Sequence, residues 1–199
     1  MMVIPYRMFL IVLMSGIITG CATSVSPSRE YLLMDADFQE AQVQSTKEAS
    51  VQLMPIVVAN YLAGNEIVLV TNQGEVHRSQ NNLWAESLSS QLTRLTQQRL
   101  EKTLPKITWF GGQRFPSYAI ALLNIEVDGF YADLHGMIHI SGRWQFISAA
   151  GELSLSNTFN VTGELPSDGY STMVQALSSS WFNQVIDPMS KEIAKSLNK

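Results

Sequence analysis

The 199-residue chain has one cysteine, few charged side chains and no excess of basic residues. A single cysteine excludes an internal disulfide framework and any multi-cysteine metal site. Lys and Arg total 13 against 17 Asp and Glu, a net charge of −4, so the charge balance offers no pull on nucleic acid. Charged residues make up 15% of the chain while 46% is hydrophobic, a balance that argues against disorder over most of its length. Walker and dinucleotide glycine patterns and a Gly-x-Ser-x-Gly elbow are all missing. So is any repeat at solenoid periods. The length allows one sizeable core and falls short of two comfortable domains.

Hydrophobic runs are short, and the most telling one is at the start. In residues 1–20, Arg7 precedes an apolar run over 8–14 that gives way to small and β-branched residues. That run cannot cross about 30 Å of hydrocarbon as a permanent helix. A basic start and a small-residue end fit a secretory signal peptide. Its close, Ile18-Thr19-Gly20-Cys21, resembles the bacterial lipobox. A thiol that a diacylglyceryl transferase must reach inside the bilayer needs small, uncharged neighbours. The resemblance implies cleavage before Cys21, a diacylglyceryl thioether on its sulfur and an N-linked acyl chain such as palmitate. Two or more chains anchor stably, at about 0.8 kcal/mol per buried methylene.

Loss of residues 1–20 leaves 12 basic residues against 17 acidic, a net charge of −5, which disfavours adhesion to anionic lipid. Ala22 follows the cysteine; in the enterobacterial sorting pattern an Asp there retains lipoproteins in the inner membrane, so Ala22 points to the outer membrane. Residues 21–29 read as the lipidated N-terminus and a Ser/Thr/Pro tether, and residues 30–199 as one periplasmic domain.

Within that domain, residues 31–34 predict a short strand and the polar stretch 35–50 a surface loop. Residues 51–61 read as a strand that Pro55 confines to an edge or a bulge. Residues 66–70 and 76–79 predict a hairpin in which Gly74 takes a positive φ. A helix follows, capped by Asn81 or Asn82, with Trp84, Leu88, Leu92 and Leu95 as its buried stripe and Pro105 as its stop. Period-two alternation predicts three strands over 118–128, 138–146 and 153–161, the last two joined by a turn at 149–151. A final helix carries Tyr170, Met173, Val174, Leu177, Trp181 and Val185 on one stripe, with a kink at Pro188. This order predicts an α+β single domain, an antiparallel or mixed sheet with two main helices packed on one face.

Candidate chemistry is thin. His135 and His139 with Asp133 suggest a metal, but in an extended segment the histidines stand about 13 Å apart, too far to share one ion. Gly111-Gly112-Gln113 matches three letters of the release-factor tripeptide and reads as a plain turn. Glu126 and Asp128 share a strand face, where solvated carboxylates are commoner than a catalytic pair. No metal, cofactor or catalytic site is expected, and the protein is expected not to be an enzyme. The wet strand faces carry Ser, Thr, Asn and Gln in place of Lys and Glu, a composition that leaves sheet edges open to partners.

Tyr61-Leu62, the strand Glu66-Ile67-Val68-Leu69, Glu75-Val76 and Asn82-Leu83-Trp84-Ala85-Glu86-Ser87-Leu88 resemble the PqiC/YmbA-type family of ABC-type transport auxiliary lipoproteins. Tyr31-Leu32-Leu33, Trp144 and Val174-Gln175-Ala176 extend the resemblance over nearly the whole chain. The helix-start motif itself reads as structural, with Trp84 opening the buried stripe and Glu86 in the first turn favouring the helix dipole. The resemblance implies an outer-membrane lipoprotein facing the periplasm, an accessory or docking subunit for an MCE-domain protein in intermembrane lipid transport. Self-assembly into a homo-oligomer is consistent with it. Two further readings stay open: a direct lipid-binding carrier, and a structural lipoprotein assisting an outer-membrane barrel or secretion complex.

Overall fold

A computed structural model describes residues 27–36, 47–112 and 119–198. Residues 1–20, read above as a signal peptide, lie outside the described residues with Cys21, Ala22, Gln113, Tyr118 and the middle of the 35–50 stretch. The elements in chain order are β1 (Arg29–Tyr31), β2 (Ala49–Leu53), β3 (Val57–Val58), a 3₁₀ turn (Asn60–Leu62), β4 (Glu66–Val70), β5 (Val76–Trp84) and α1 (Leu88–Thr103). There follow β6 (Ile107–Gly111), β7 (Ala121–Ala132), β8 (Met137–Ile147), β9 (Leu153–Glu164), α2 (Tyr170–Ser180), a π-helical segment (Trp181–Ile186) and α3 (Asp187–Leu197). The chain is α+β, one mixed sheet with its helices against it, as the alternation of strand and helix signals predicts.

The sheet is organised by β7. One edge of this strand pairs antiparallel with β8 along nearly its whole length, and β8 pairs antiparallel with β9. The other edge is shared in succession by β2, β3 and β4, all running parallel to β7. Beyond β2 lies β6, and beyond β4 lie β5 and then β1. Alternation explains why β7 and β8 stand where they do. Leu123, Ile125 and Val127 of β7, with Ile138, Ile140, Trp144 and Phe146 of β8, turn into a core closed by the helices. The residues on the opposite face, Asn124 and Glu126 of β7 and His139, Ser141, Arg143 and Gln145 of β8, are half-buried or exposed.

Pro55 does not confine its segment to a sheet edge. β2 lies between β6 and β7, and Pro55 falls in the gap before β3, where the chain is passing from one stretch of β7 to the next. The gap is closed by α1: Ile56 N–H donates to Thr93 Oγ1 at 2.8 Å, and Ser89 Oγ donates to the Ile56 carbonyl. Proline is tolerated because no ladder bond is asked of it.

Three other expectations change. The first strand is residues 29–31 rather than 31–34, because Leu33 leaves the ladder to bury itself in the core. Asn81, Asn82 and Trp84 belong to β5, so α1 begins later, with Ser87 as N-cap accepting from Ser90 N–H at 3.3 Å. Glu86 accordingly lies ahead of the first turn and pairs with Arg94 at 3.1 Å. β6 carries no period-two pattern long enough to announce it: five residues between Pro105 and Gly112.

The hairpin prediction holds, with Gly74 at φ 86°. The C-terminal helix also forms, and it passes Pro188 by changing register. A proline inside an α-helix leaves the carbonyl four residues earlier without a donor. Here a turn of π-helix precedes it, and Asp187 N–H reaches back five residues to the Phe182 carbonyl. The wider turn sends Trp181, Phe182, Val185 and Ile186 inward together.

Gly142 of β8 marks a close approach. A Cβ there would stand 2.1 Å from the Glu126 carbonyl and 2.6 Å from the ring of Phe159, opposite the bulge between Val127 and Gly129. Gly142→Ala should lower the unfolding free energy by about 1–3 kcal/mol through forced displacement of β7 or β9. Urea unfolding of the variant against the parent chain measures it.

Candidate functional site

α1 carries a stripe of buried residues at 88, 92 and 95, and the next position of that stripe is Arg99, 2% exposed. A guanidinium in a core must have its donors and charge matched. Arg99 grips Asp187 with two bonds, Nε to Oδ1 at 2.9 Å and Nη2 to Oδ2 at 2.7 Å. Its Nη1 donates to Asp35 Oδ1 at 2.7 Å, Nη2 also reaches Asn183 Oδ1 at 3.1 Å, and the Phe182 ring lies 5.7 Å away. Burial alone would pull the guanidinium's pKa down; the bonds and charges of Asp187 and Asp35 outweigh it and hold it above its ordinary value. One side chain thereby joins α1, the start of α3 and the segment that follows β1.

That segment, residues 30–36, is an arm laid along the domain. Leu33 is its plug, 4% exposed. Its backbone N–H groups point inward: Leu33 N–H to Gln91 Oε1 at 2.8 Å and Met34 N–H to Ser178 Oγ at 3.3 Å. Leu32 and Met34 face outward, 46% and 68% exposed. Between this arm and α2 runs a groove of about 900 Å³ whose walls include Tyr31, Leu32, Met34, Val174 and Ala176. Glu30 is the sole charged residue among those that line it.

A second surface is the outer edge of β9. Its sequence, LSLSNTFNVTGE, is free of charge until the last residue and contains no proline. Among the described residues β9 pairs only with β8, and its residues are mostly exposed.

The predicted chemical constellations resolve into structural roles. Asp133 and His139 do meet, Oδ2 to Nε2 at 3.1 Å, while the other Asp133 oxygen accepts the backbone N–H groups of His135 and Met137 at 2.8 and 3.0 Å. His139 also stacks on Tyr131 with ring centroids 5.1 Å apart. This is a lock on the β7–β8 turn. Burial tends to raise the Asp133 pKa, but the donated bonds and His139 prevail and hold it below the ordinary carboxylate value. Among the described residues no three His, Cys, Asp or Glu side chains gather to hold a metal. Glu126 pairs across the sheet with Arg143, and the backbone of Asp128 sits at the β7 bulge, where its carbonyl accepts Tyr61 Oη at 2.8 Å. Burial, then Tyr131 and Asp128, push the Tyr61 hydroxyl up to about 12. Gly111 ends β6, and the Gly112 carbonyl accepts from buried Gln52 Nε2 at 2.8 Å.

Trp84, the centre of the helix-start motif, packs on Phe130 with centroids 6.4 Å apart. Phe130 in turn meets Trp181 edge-on at 6.2 Å, and the Trp181 indole donates to Thr96 Oγ1 at 3.0 Å. The motif is structural, but Trp84 works from a strand end and not from the helix.

A profile of the ABC-type transport auxiliary lipoprotein component matches residues 31–193. The chain belongs to this family. The auxiliary lipoprotein is 29% identical over 167 residues to the intermembrane transport lipoprotein PqiC of Escherichia coli K12, covering 82% of this chain and 86% of that one. The crystal structure of an uncharacterized protein superposes with a TM-score of 0.71 at 27% identity, over 84% of this chain and 99% of the other. XCC0632 from Xanthomonas campestris shares the fold at a TM-score of 0.65 and 15% identity, over 84% and 93%. A transport accessory role follows from the family. Among the described residues of the auxiliary lipoprotein no helix is long and apolar enough to cross a membrane.

Two predictions test this architecture. Arg99→Met removes the guanidinium from two half-buried carboxylates, of which Asp35 keeps only Lys102 at 4.0 Å among the described residues. It should cost about 2–4 kcal/mol, most of it recovered when Asp35 and Asp187 are also made apolar; guanidinium unfolding of the two variants reads the difference. Asp133 titrates lower when folded than unfolded, so its stabilisation is present at neutral pH and is lost as pH falls below about 4. The stability gap between the parent and Asp133→Asn should be about 1–2 kcal/mol at pH 7 and close towards pH 3.

Proposed function

We propose that this auxiliary lipoprotein is a non-enzymatic docking subunit of an MCE-type intermembrane lipid transport system. Cys21 carries a diacylglyceryl thioether and an N-acyl chain, and these hold the domain on the periplasmic face of the outer membrane. Ala22 supports that membrane over the inner one. The kinship with PqiC, named as an intermembrane transport lipoprotein, supports the transport setting.

The observation that carries the docking reading is the β9 edge. Exposed sheet edges are ordinarily blunted by lysines, prolines or bulges, because an unpaired ladder recruits other strands. Residues 153–163 have neither charge nor proline. Such an edge suits strand addition by a partner, with main-chain bonds supplying affinity. The partner is the MCE-domain protein; a second copy of the chain is the competing occupant of the same edge.

A crosslinking pull-down from native membranes tests both anchor and partner. The parent protein should recover an MCE-domain protein, and Cys21→Ala should recover about tenfold less, because stable attachment needs the buried acyl chains. Phe159→Pro is unsuitable because it would damage the core; Ser156→Lys and Thr158→Lys place charge on β9 without disturbing buried packing. These should reduce recovery while leaving the fold intact by circular dichroism. Recovery of an outer-membrane barrel in place of an MCE protein would replace this reading with assembly assistance.

A further inference from the structure

The groove between the arm and α2 is assigned no role by the docking reading. Its chemistry is distinctive in three independent ways. The arm exposes two large apolar side chains two residues apart, Leu32 and Met34, the latter the most exposed large apolar side chain among the described residues. The opposite wall belongs to a helical stretch, residues 170–186, that contains no charged residue at all. The space between them, about 900 Å³, is of the size that holds small ligands.

The arm's hydrogen bonding limits what can occupy that space. A peptide strand binds by adding to a ladder. Leu33 and Met34 spend their N–H groups on Gln91 and Ser178, inside the domain, so at these positions the arm offers an incoming strand no donors. A charged ligand would find a single carboxylate, Glu30, and no counter-cation among the lining residues. What remains is a neutral, flexible, apolar occupant.

The position of the groove says where that occupant comes from. Cys21 precedes Arg29 by eight residues, a tether that reaches at most about 29 Å when fully extended. The groove starts at the next residue, Glu30. In the lipid-anchored reading the groove therefore lies within one short tether of the bilayer.

We infer that this groove binds an acyl chain of a phospholipid from the membrane to which the protein is anchored. The inference rests on the anchored-lipoprotein part of the proposed function and is independent of the β9 edge. Val174, Ala176, Leu32 and Met34 contact the chain, and the hydroxyl and amide groups of Ser171, Thr172 and Gln175 face its polar end.

The test uses the mature lipoprotein reconstituted in phosphatidylethanolamine vesicles doped with the same lipid bearing a diazirine in one acyl chain. After irradiation, adducts should map to residues 31–36 and 171–179. Leu32→Glu combined with Met34→Glu should cut labelling about tenfold, since each removes an apolar contact worth a large part of that factor. Both positions are exposed, so the thermal midpoint should stay unchanged, and Leu153→Glu on β9 should label like the parent. Adducts spread evenly over the surface, or equal labelling of the double variant, would overturn the assignment. So would adducts that appear in Cys21→Ala alone, which would make the anchor's own chain the occupant. Crosslinks from the groove to a protein in place of lipid would overturn it as well. Recovery of the MCE partner is measured on the same samples: in the double variant, intact recovery with lost labelling separates this site from docking, and in the parent, groove labelling without recovery of an MCE protein fails the docking reading alone.

Discussion

One buried cation ties the arm after β1, helix α1 and the start of α3 together. Arg99 is held by two carboxylates from opposite ends of the chain, Asp35 near its start and Asp187 near its end. Such a cluster contributes little net stability, because desolvation consumes most of the Coulombic gain. Its effect is to fix position. With Arg99 in place the arm cannot slide along α2, and α3 cannot rotate away from α1, since either movement strands a charge in the core.

The π segment belongs to the same arrangement. Trp181, Phe182, Val185 and Ile186 all face inward because the helix widens for one turn. The widened turn places Asn183 and Asp187 together on the Arg99 guanidinium and lays the Phe182 ring against it. Trp181, fully buried, meets Phe130 of β7 and Phe159 of β9. Aromatic packing on the sheet side and charge pairing on the helix side meet at consecutive residues, 181 and 182. The register change that precedes Pro188 therefore also seats the helix on the sheet.

The two surfaces with no structural duty are of different kinds. The β9 edge offers main-chain groups in a regular row, and the arm groove offers side-chain surface with its local N–H groups turned away. The first suits a polypeptide strand and the second an aliphatic chain. In the proposed function a lipid-anchored accessory has use for both, one surface for a protein partner and the other for the membrane.

Local periodicity made much of this fold legible. The β4–β5 hairpin, the alternation of β8 and β9 and the stripe of the C-terminal helix are all legible along the chain, because side-chain burial repeats every two residues in a strand and about every 3.6 in a helix. The lipobox is likewise a local signal. What only the tertiary structure decided concerns groups whose partners are remote. Arg99 occupied the next step of the α1 stripe, and that was the available hint, but nothing local says that Asp35 and Asp187 converge on it. Pro55 reads as an edge marker until the gap between β2 and β3 is seen to be bridged by α1. β6 is too short to declare itself and exists because β2 has an edge to cover. Glu126 and the Asp133–His139 pair look chemical in one dimension and are a cross-strand ion pair and a turn lock in three. Sequence alone carried the lipobox resemblance, most of the element types and the family; burial and long-range pairing, which depend on distances the chain does not encode locally, decided the helix start, β6, which polar residues hold the fold and which faces are left for partners.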